Sequence, residues 1–284
     1  MFKQFRYKAI IVILLCIVFT LLFFTACTPL YAANPDDTKE DYIVVPILMY
    51  HDIRTSDLGK YAISVQEFES DLKYLKENDY TTITMTELIN YVYYNEPLPE
   101  NPIILSFDDG FLGTYTYAFP LLKQYQMQIV LSITGINVDK QDTDSTYSYL
   151  SWQQINEMVD TGYAEVQNHT YNLHTSSNER IGCMQLNGES FADYEEILTE
   201  DIQKLQDEIF TITGTTSNTF IYPYGKASEH TDIILKKLGF SATLSCEYGI
   251  NFITKDPETL FGLKRIRRSY GDRLQERIKN AVDQ

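Results

Sequence analysis

The sequence predicts an α/β fold with a single barrel-like (β/α) domain, and three observations point to it. Short apolar runs alternate with amphipathic helical stretches along the whole length after residue 41, the pattern of parallel βαβ units. No composition break or repeat interrupts that alternation between Tyr42 and Asp272. Polar residues able to do chemistry fall just after the apolar runs: His51, Asp108 and Asp109, His169, and the turn Pro223-Tyr224-Gly225. In (β/α) barrels chemistry sits at the C-terminal ends of the strands. No glycine-rich phosphate fingerprint follows the first run, so a dinucleotide-binding fold has no support.

The elements follow in order. Ile43 to Met49 is an apolar strand ending in Tyr50-His51-Asp52. Val65, Phe68, Leu72 and Leu75 share one face of a helix over 64–78, with Ser64 as its N-cap. Thr81 to Thr84 is a β-branched strand, and Thr86 caps a helix that runs to Tyr94. Ile103 to Phe107 is a buried strand. Thr114 to Tyr125 is helical, with Pro120 expected to kink it or break its start. Ile129 to Ile133 is a strand, Ser151 to Thr161 a helix closed by Gly162, and Ala164 to Gln167 a strand. Thr175 to Ser190 is a polar surface loop. Tyr194 to Thr213 is the longest helix, with a stripe of Ile197, Ile202, Leu205 and Ile209. Strands over 219–222, 241–245 and 263–267 follow, with a helix over 231–238 between the first two and a final helix over 272–282.

Residues 1–33 stand apart. Lys3, Arg6 and Lys8 precede an uncharged apolar run from Ala9 to Ala26, near the ~18 residues that span a bilayer. This is an export signal or a membrane anchor, and its leading positive charges place the rest of the chain outside the cytoplasm. Phe24-Thr25-Ala26-Cys27 resembles a lipoprotein cleavage box, although Phe24 matches it poorly; cleavage near Ala32 or Ala33 would instead release the protein. Residues 34–41 form a polar linker, and residues 42–284 the catalytic-sized domain. With 39 acidic and 23 basic residues, the chain has a net charge of −16, which excludes a nucleic-acid partner. Membrane association is left to the N-terminal segment alone. Beyond the leader only Cys183 and Cys246 remain, which permits one disulfide without demanding it.

Two adjacent acids, Asp108 and Asp109, end the 103–107 strand. Side chains alternate along a strand, so both acids reach one site only where the chain bends, and Gly110 permits the bend. Buried acids are costly unless they are protonated, paired or bound to a metal. A helix N-cap and turn would use the same residue types. His169 and His174 are five residues apart, which suits neither a helix face nor one side of a strand. They converge only from a bent loop, and Asn172 favours one. One carboxylate with two neutral imidazoles is a three-ligand set for Zn²⁺ with an open position; Fe, Ni and Co use similar sets.

Ser-Phe-Asp-Asp-Gly at 106–110, His-Thr-Tyr-Asn-Leu-His at 169–174 and Tyr-Pro-Tyr-Gly at 222–225 occur in this order. Together they resemble the polysaccharide deacetylases of carbohydrate esterase family 4, over about residues 43–266. The resemblance implies a distorted (β/α) barrel of the deacetylase type. It also implies an N-deacetylase that releases acetate from a polysaccharide containing N-acetylglucosamine: poly-N-acetylglucosamine, peptidoglycan or a chitin-like polymer. Asp108 is then the general base, and Asp109, His169 and His174 are the metal ligands. The Tyr224 backbone N–H faces the oxyanion. The extra residue between the histidines, and Met-Tyr-His-Asp at 49–52, are similar to the poly-N-acetylglucosamine deacetylase branch, in which His51 takes the general-acid role. Two features depart from the family pattern. Ile221 stands where the third motif carries arginine, so orientation of the base falls to another residue, with Arg265 the candidate. No histidine follows His230, so the late histidine of the commoner branch is absent.

Trp152 and Arg265 are further substrate-site candidates, although a lone tryptophan usually packs in a core and a solvated Arg265–Arg267 pair is the default. Two other functions compete. A glycoside hydrolase would need carboxylates about 5 Å or more apart, which adjacent residues on one strand supply poorly. A non-catalytic glycan-binding module of the same fold would explain the missing arginine at 221. Within the family, an O-acetyl-xylan type of esterase is the other alternative.

Overall fold

A computed structural model describes residues 42–140, 148–176 and 180–283; the leader, Cys27 and the linker lie outside the described residues. In chain order the elements are β1 (Ile43–Val45), β2 (Ile47–Tyr50), β3 (Asp52–Arg54), β4 (Ala62–Ser64), α1 (Val65–Glu77), β5 (Thr81–Thr82), α2 (Met85–Tyr94) and β6 (Pro102–Phe107). A π-helical turn (Thr114–Ala118) leads into α3 (Phe119–Tyr125), followed by β7 (Ile129–Ile133), α4 (Trp152–Asp160), β8 (Ala164–Asn168) and α5 (Phe191–Thr213). The chain ends with β9 (Thr219–Ile221), α6 (Thr231–Lys237), β10 (Ala242–Leu244), β11 (Asn251–Ile253), β12 (Ile266–Arg267) and α7 (Leu274–Val282).

The main sheet is parallel, in the order β10-β9-β8-β7-β6-β2-β12, and β5 pairs with the start of β6. A parallel bridge from Leu244 to Leu263 joins β10 to the segment that runs into β12, so the two edges of the sheet meet as a barrel requires. Strands β2, β6 and β7 are buried along their whole length, as expected when both faces of a parallel sheet are covered. Alternation along β6 divides its side chains between two layers. Ile103, Leu105 and Phe107 pack outward with Phe68 and Leu72 of α1 and Ile155 and Met158 of α4. Ile104 faces inward with Ile47, Val130, Ile221 and Leu244. Two residues on, Ser106 and Asp108 continue that inward side, which sets the polar site on top of an apolar barrel interior.

Local chemistry accounts for the helix starts. Ser64, Thr84 and Ser151 each form a reciprocal capping box with a Glu or Gln three residues on. The cap of α2 is thus Thr84, not Thr86, because Glu87 stands at the N3 position that Thr84 requires. Helix α5 starts at Phe191, earlier than its apolar stripe suggests, because Ser190 caps it by accepting from the Asp193 N–H. Pro120 lies in the first turn of α3, where its missing N–H costs nothing, and the π-helical turn takes up the disruption before it. Pro46 divides the expected first strand. Its first half, β1, pairs antiparallel with β11, a strand that carries no alternation long enough to read. The expected strand over 263–267 shortens to β12. Both cysteines of the domain are free thiols, with Cys183 buried.

Candidate active site

The strand-end loops converge because several of them hold strained backbone. Asp109 (φ 70°) and Gly110 (φ 75°) both adopt left-handed angles directly after β6. That bend turns two adjacent carboxylates toward one site. Thr170 (φ 73°), between the two histidines, and Tyr224 (φ 58°), after β9, are left-handed without being glycine. Such residues cost free energy and persist where the surroundings force them, most often at functional sites.

The histidine loop is fixed by its own polar contacts. Asn168 Oδ1 accepts the Thr170 N–H at 2.9 Å. Asp201, on α5, accepts the Tyr171 N–H at 2.7 Å and the Asn172 N–H at 2.8 Å. This stapled bend gives the five-residue spacing a common focus. His169 Nε2 lies 3.6 Å and His174 Nε2 3.3 Å from Asp109 Oδ1, and one donor atom from each residue falls within 4.8 Å of the others. His169 Nδ1–H donates to the Ile221 carbonyl at 2.8 Å, which leaves Nε2 as the free lone pair aimed at Asp109. Fixing a ligand's tautomer through its other nitrogen is the usual support for a metal-binding imidazole. Burial, together with the neighbouring His174, holds the His169 pKa near 3, so the ring is neutral and able to ligate. Burial and the Asp108 charge push Asp109 up to about 7 when no cation is present. By charge, lone-pair direction and donor type, the three residues fit a divalent metal.

Asp108 sits beside this set in a different environment. Arg265 Nη1 donates to its Oδ1 at 2.8 Å, and Ser132 Oγ donates to the same oxygen at 2.8 Å. Burial alone would raise its pKa, but the Arg265 charge, with His169 and His51 adding to it, holds the carboxyl well below the ordinary range. Arg265 is 1% exposed and fully paired: Nε donates to the Ser245 carbonyl at 2.7 Å and Nη1 also to Ser106 Oγ at 3.0 Å. It therefore stands behind Asp108 and does not line the cleft. That position corrects the expectation of a substrate contact or a solvated pair; Arg265 instead pairs with Asp108, the carboxylate that the missing arginine at 221 left without a partner. His51 lines the cleft, its ring 4.8 Å from that of Tyr61, and its Nδ1 is buried with no partner among the described residues. Burial lowers its pKa to about 4.

The cleft has a volume of about 580 Å³, and His51, Asp108, Asp109, His169, His174 and Tyr224 all line it. The Tyr224 ring lies tilted against that of His174, with centroids 4.5 Å apart. Trp152 does not line it. Its ring packs half-buried against the main core, and its backbone N–H donates to Asp139 Oδ1 at 3.2 Å, as expected of a residue opening a helix. Lys60, Tyr61, Phe111, Tyr149, Cys246 and Arg267 also line the cleft and carried no motif in the sequence. The serines that support Asp108, Ser106 and Ser132, lie on strands β6 and β7, where alternation alone marks them as inward.

The parallel barrel thus carries, at its strand C-termini, an Asp-His-His cluster able to hold a metal ion and a separately paired second carboxylate. Residues 95–243 match the family model for polysaccharide deacetylase, and the chain belongs to that family. It is similar to the poly-beta-1,6-N-acetyl-D-glucosamine N-deacetylase of Escherichia coli O157:H7, 26% identical over 228 residues that cover 72% of this chain and 34% of that protein. The chain thus matches about a third of the length of that relative. A putative polysaccharide deacetylase of Bacillus subtilis, YxkH, is 27% identical over 227 residues, covering 80% of this chain and 72% of that one. Among solved structures, IcaB from Ammonifex degensii superposes with a TM-score of 0.69 at 26% identity, covering 84% of this chain and 95% of that one.

Proposed function

We propose that the chain is a metal-dependent N-deacetylase that releases acetate from an N-acetylglucosamine-containing polysaccharide outside the cytoplasm. The observation that carries this reading is the division of labour between adjacent carboxylates: Asp109 joins two neutral imidazoles, while Asp108 is held anionic by Arg265. The family and the names of its poly-N-acetylglucosamine deacetylase relatives support the substrate class. The apolar leader supports the location.

Asp109, His169 and His174 would hold the cation, with Zn²⁺ the ion best suited to the donor set and Ni²⁺, Co²⁺ or Fe²⁺ able to substitute. When bound, it supplies a Lewis acid that acidifies water and polarises the acetamide carbonyl. Asp108 takes the proton of the attacking water. Its low pKa makes it a poor resting place for that proton, so the proton moves on. His51 is neutral before the reaction and can receive it, then deliver it to the departing amine. The Tyr224 backbone N–H donates to the developing oxyanion. The positions of Ser132 and Arg265 keep Asp108 from rotating away from the water it must meet.

The test is acetate release by the purified chain, metal-loaded and chelated, on poly-N-acetylglucosamine, chitin oligomers, peptidoglycan and acetylated xylan. Acetate from amide substrates that stops on chelation is the expected result. New reducing ends without acetate would make the chain a glycosidase. Bound metal and glycan with no acetate from any substrate would leave a binding module.

A further inference from the structure

Two cations face the cleft with no counter-charge among the described residues. Arg267, on β12, sits in register beside Met49 of β2, and both residues line the cleft with His51. The Arg267 Nε is buried and meets no hydrogen-bond acceptor among the described residues. Arg267 shares the cleft wall with His51 and Cys246. Lys60 lines the same cleft, with its Nζ 4.9 Å from the centre of the Tyr61 ring, and Tyr61 in turn lies against His51. Neither cation forms an ion pair among the described residues. The two acids among the described residues of the cleft are committed elsewhere, Asp108 to Arg265 and Asp109 to the imidazole pair.

This arrangement opposes the character of the chain. With 39 acidic residues against 23 basic ones, partners for cations are abundant. Both arginines flanking Arg267 in the strand sequence have them: Arg265 pairs with Asp108, and Arg268 pairs with Asp71 at 2.7 and 3.1 Å. A half-buried guanidinium with an orphaned nitrogen is a site awaiting an acceptor. Sugar hydroxyls can accept from it, but a carboxylate or phosphate matches it in both charge and planar or multidentate geometry.

We propose that Arg267 and Lys60 form an anion subsite beside the catalytic centre. The preferred substrate is then an N-acetylated glycan that carries a carboxylate or phosphodiester on the reacting sugar or its neighbour, not a neutral homopolymer. The proposal rests on the deacetylase reading for its catalytic form. The subsite itself is a statement about binding.

The test compares matched oligosaccharides on the metal-loaded protein. One arm is a glycan strand bearing N-acetylmuramic acid carboxylates, against its methyl ester. A second is an N-acetylglucosamine oligomer linked by phosphodiesters, and a third a neutral N-acetylglucosamine oligomer of equal length. Affinity by titration calorimetry and kcat/KM for acetate release are both read at low and high salt. The charged form of one arm should be favoured by about tenfold, the scale of one charge-assisted hydrogen-bond pair, and the preference should shrink in salt. Arg267→Gln should reduce the ratio of charged to neutral substrate toward one, and Arg267→Lys should keep part of it. Equal affinity of the wild-type protein for the carboxylate and its ester, with no phosphodiester preference, overturns the subsite without any variant. An Arg267→Gln protein that slows all substrates by one factor also overturns it, and would assign Arg267 to keeping His51 neutral. If no substrate yields acetate, the binding ratios still decide the subsite while the deacetylase reading fails alone.

Discussion

Replacing Arg265 by methionine removes the cation from a pair with almost no solvent on either side: the Arg265 side chain is 0% and that of Asp108 4% exposed. Breaking such a pair from one side costs about 3–5 kcal/mol, because a charge is left buried without its partner. The sign with pH follows from the carboxyl. In the native protein the Asp108 pKa is depressed, so the pair stabilises above the unfolded carboxylate value of about 4 and loses that contribution only as pH falls below it. Without Arg265, burial dominates and the pKa rises above the unfolded value. The variant's Asp108 then favours folding below about pH 4 and disfavours it as pH rises through the new, higher pKa. The stability gap between the two proteins should therefore be largest at neutral pH and narrow toward pH 4. Urea denaturation of the chelated proteins at a series of pH values measures it. Arg265→Met combined with Asp108→Asn should recover much of the loss, since no buried charge remains. A gap below about 1 kcal/mol at pH 7, or one that does not vary with pH, would refute the account of Arg265 as the compensating charge.

The remaining predictions concern the site itself. Alanine at Asp109, His169 or His174 should abolish stoichiometric metal, read by elemental analysis, while circular dichroism stays native; full metal content in His174→Ala would remove that residue from the set. With Asp109 at about 7 in the metal-free protein, metal binding must expel its proton, so affinity should fall by about tenfold per pH unit below 7, with proton uptake by the buffer in calorimetry. Asp108→Asn should keep its metal and lose at least ~10²-fold in kcat, whereas loss of metal would show the two acids to be exchanged. Asp201→Ala releases two backbone N–H groups of the histidine loop and should weaken metal binding by about 10–100-fold with the barrel still folded. His51→Ala should lose ~10² in kcat on amides but far less on an activated acetate ester, whose leaving group needs no proton.

What the sequence disclosed and what it hid divide along a physical line. The barrel was legible because parallel strands buried on both faces, such as Ile103–Phe107 and Ile129–Ile133, read as unbroken apolar runs, and because capping boxes mark helix starts. Where a reading failed, the deciding contact was distant or a competing cap stood nearby. Thr86 and Thr84 are equally good cap residues, and only Glu87, three places after Thr84, separates them. The short strand β11 has its partner some two hundred residues away in β1, and three residues carry no period. The candidate metal set was legible as residue types at strand ends. Its geometry was not, because the convergence of His169 and His174 depends on Asp201, thirty residues downstream in a helix whose apolar stripe says nothing of its polar face.

The arginines after Leu263 show the same limit from the energetic side. Arg265, Arg267 and Arg268 are chemically alike, and in sequence a solvated basic patch is the natural reading. In the fold, each meets a different fate within four residues of chain. Arg265 turns into the barrel and pairs with Asp108, and Arg268 turns outward to Asp71, which also accepts from Tyr50 at 3.0 Å. Arg267, on the same side as Arg265 but one step nearer the rim, reaches the cleft with no acid to meet it among the described residues. Strand alternation separates Arg268 from the other two, but nothing local separates Arg265 from Arg267. That difference comes from Asp108, which alternation along β6 points inward, while the left-handed turn at Asp109 and Gly110 brings the neighbouring carboxylate to the imidazoles. Strand alternation and one backbone bend therefore set three things together: which carboxylate faces the imidazoles, which arginine is neutralised, and which arginine is left lining the cleft.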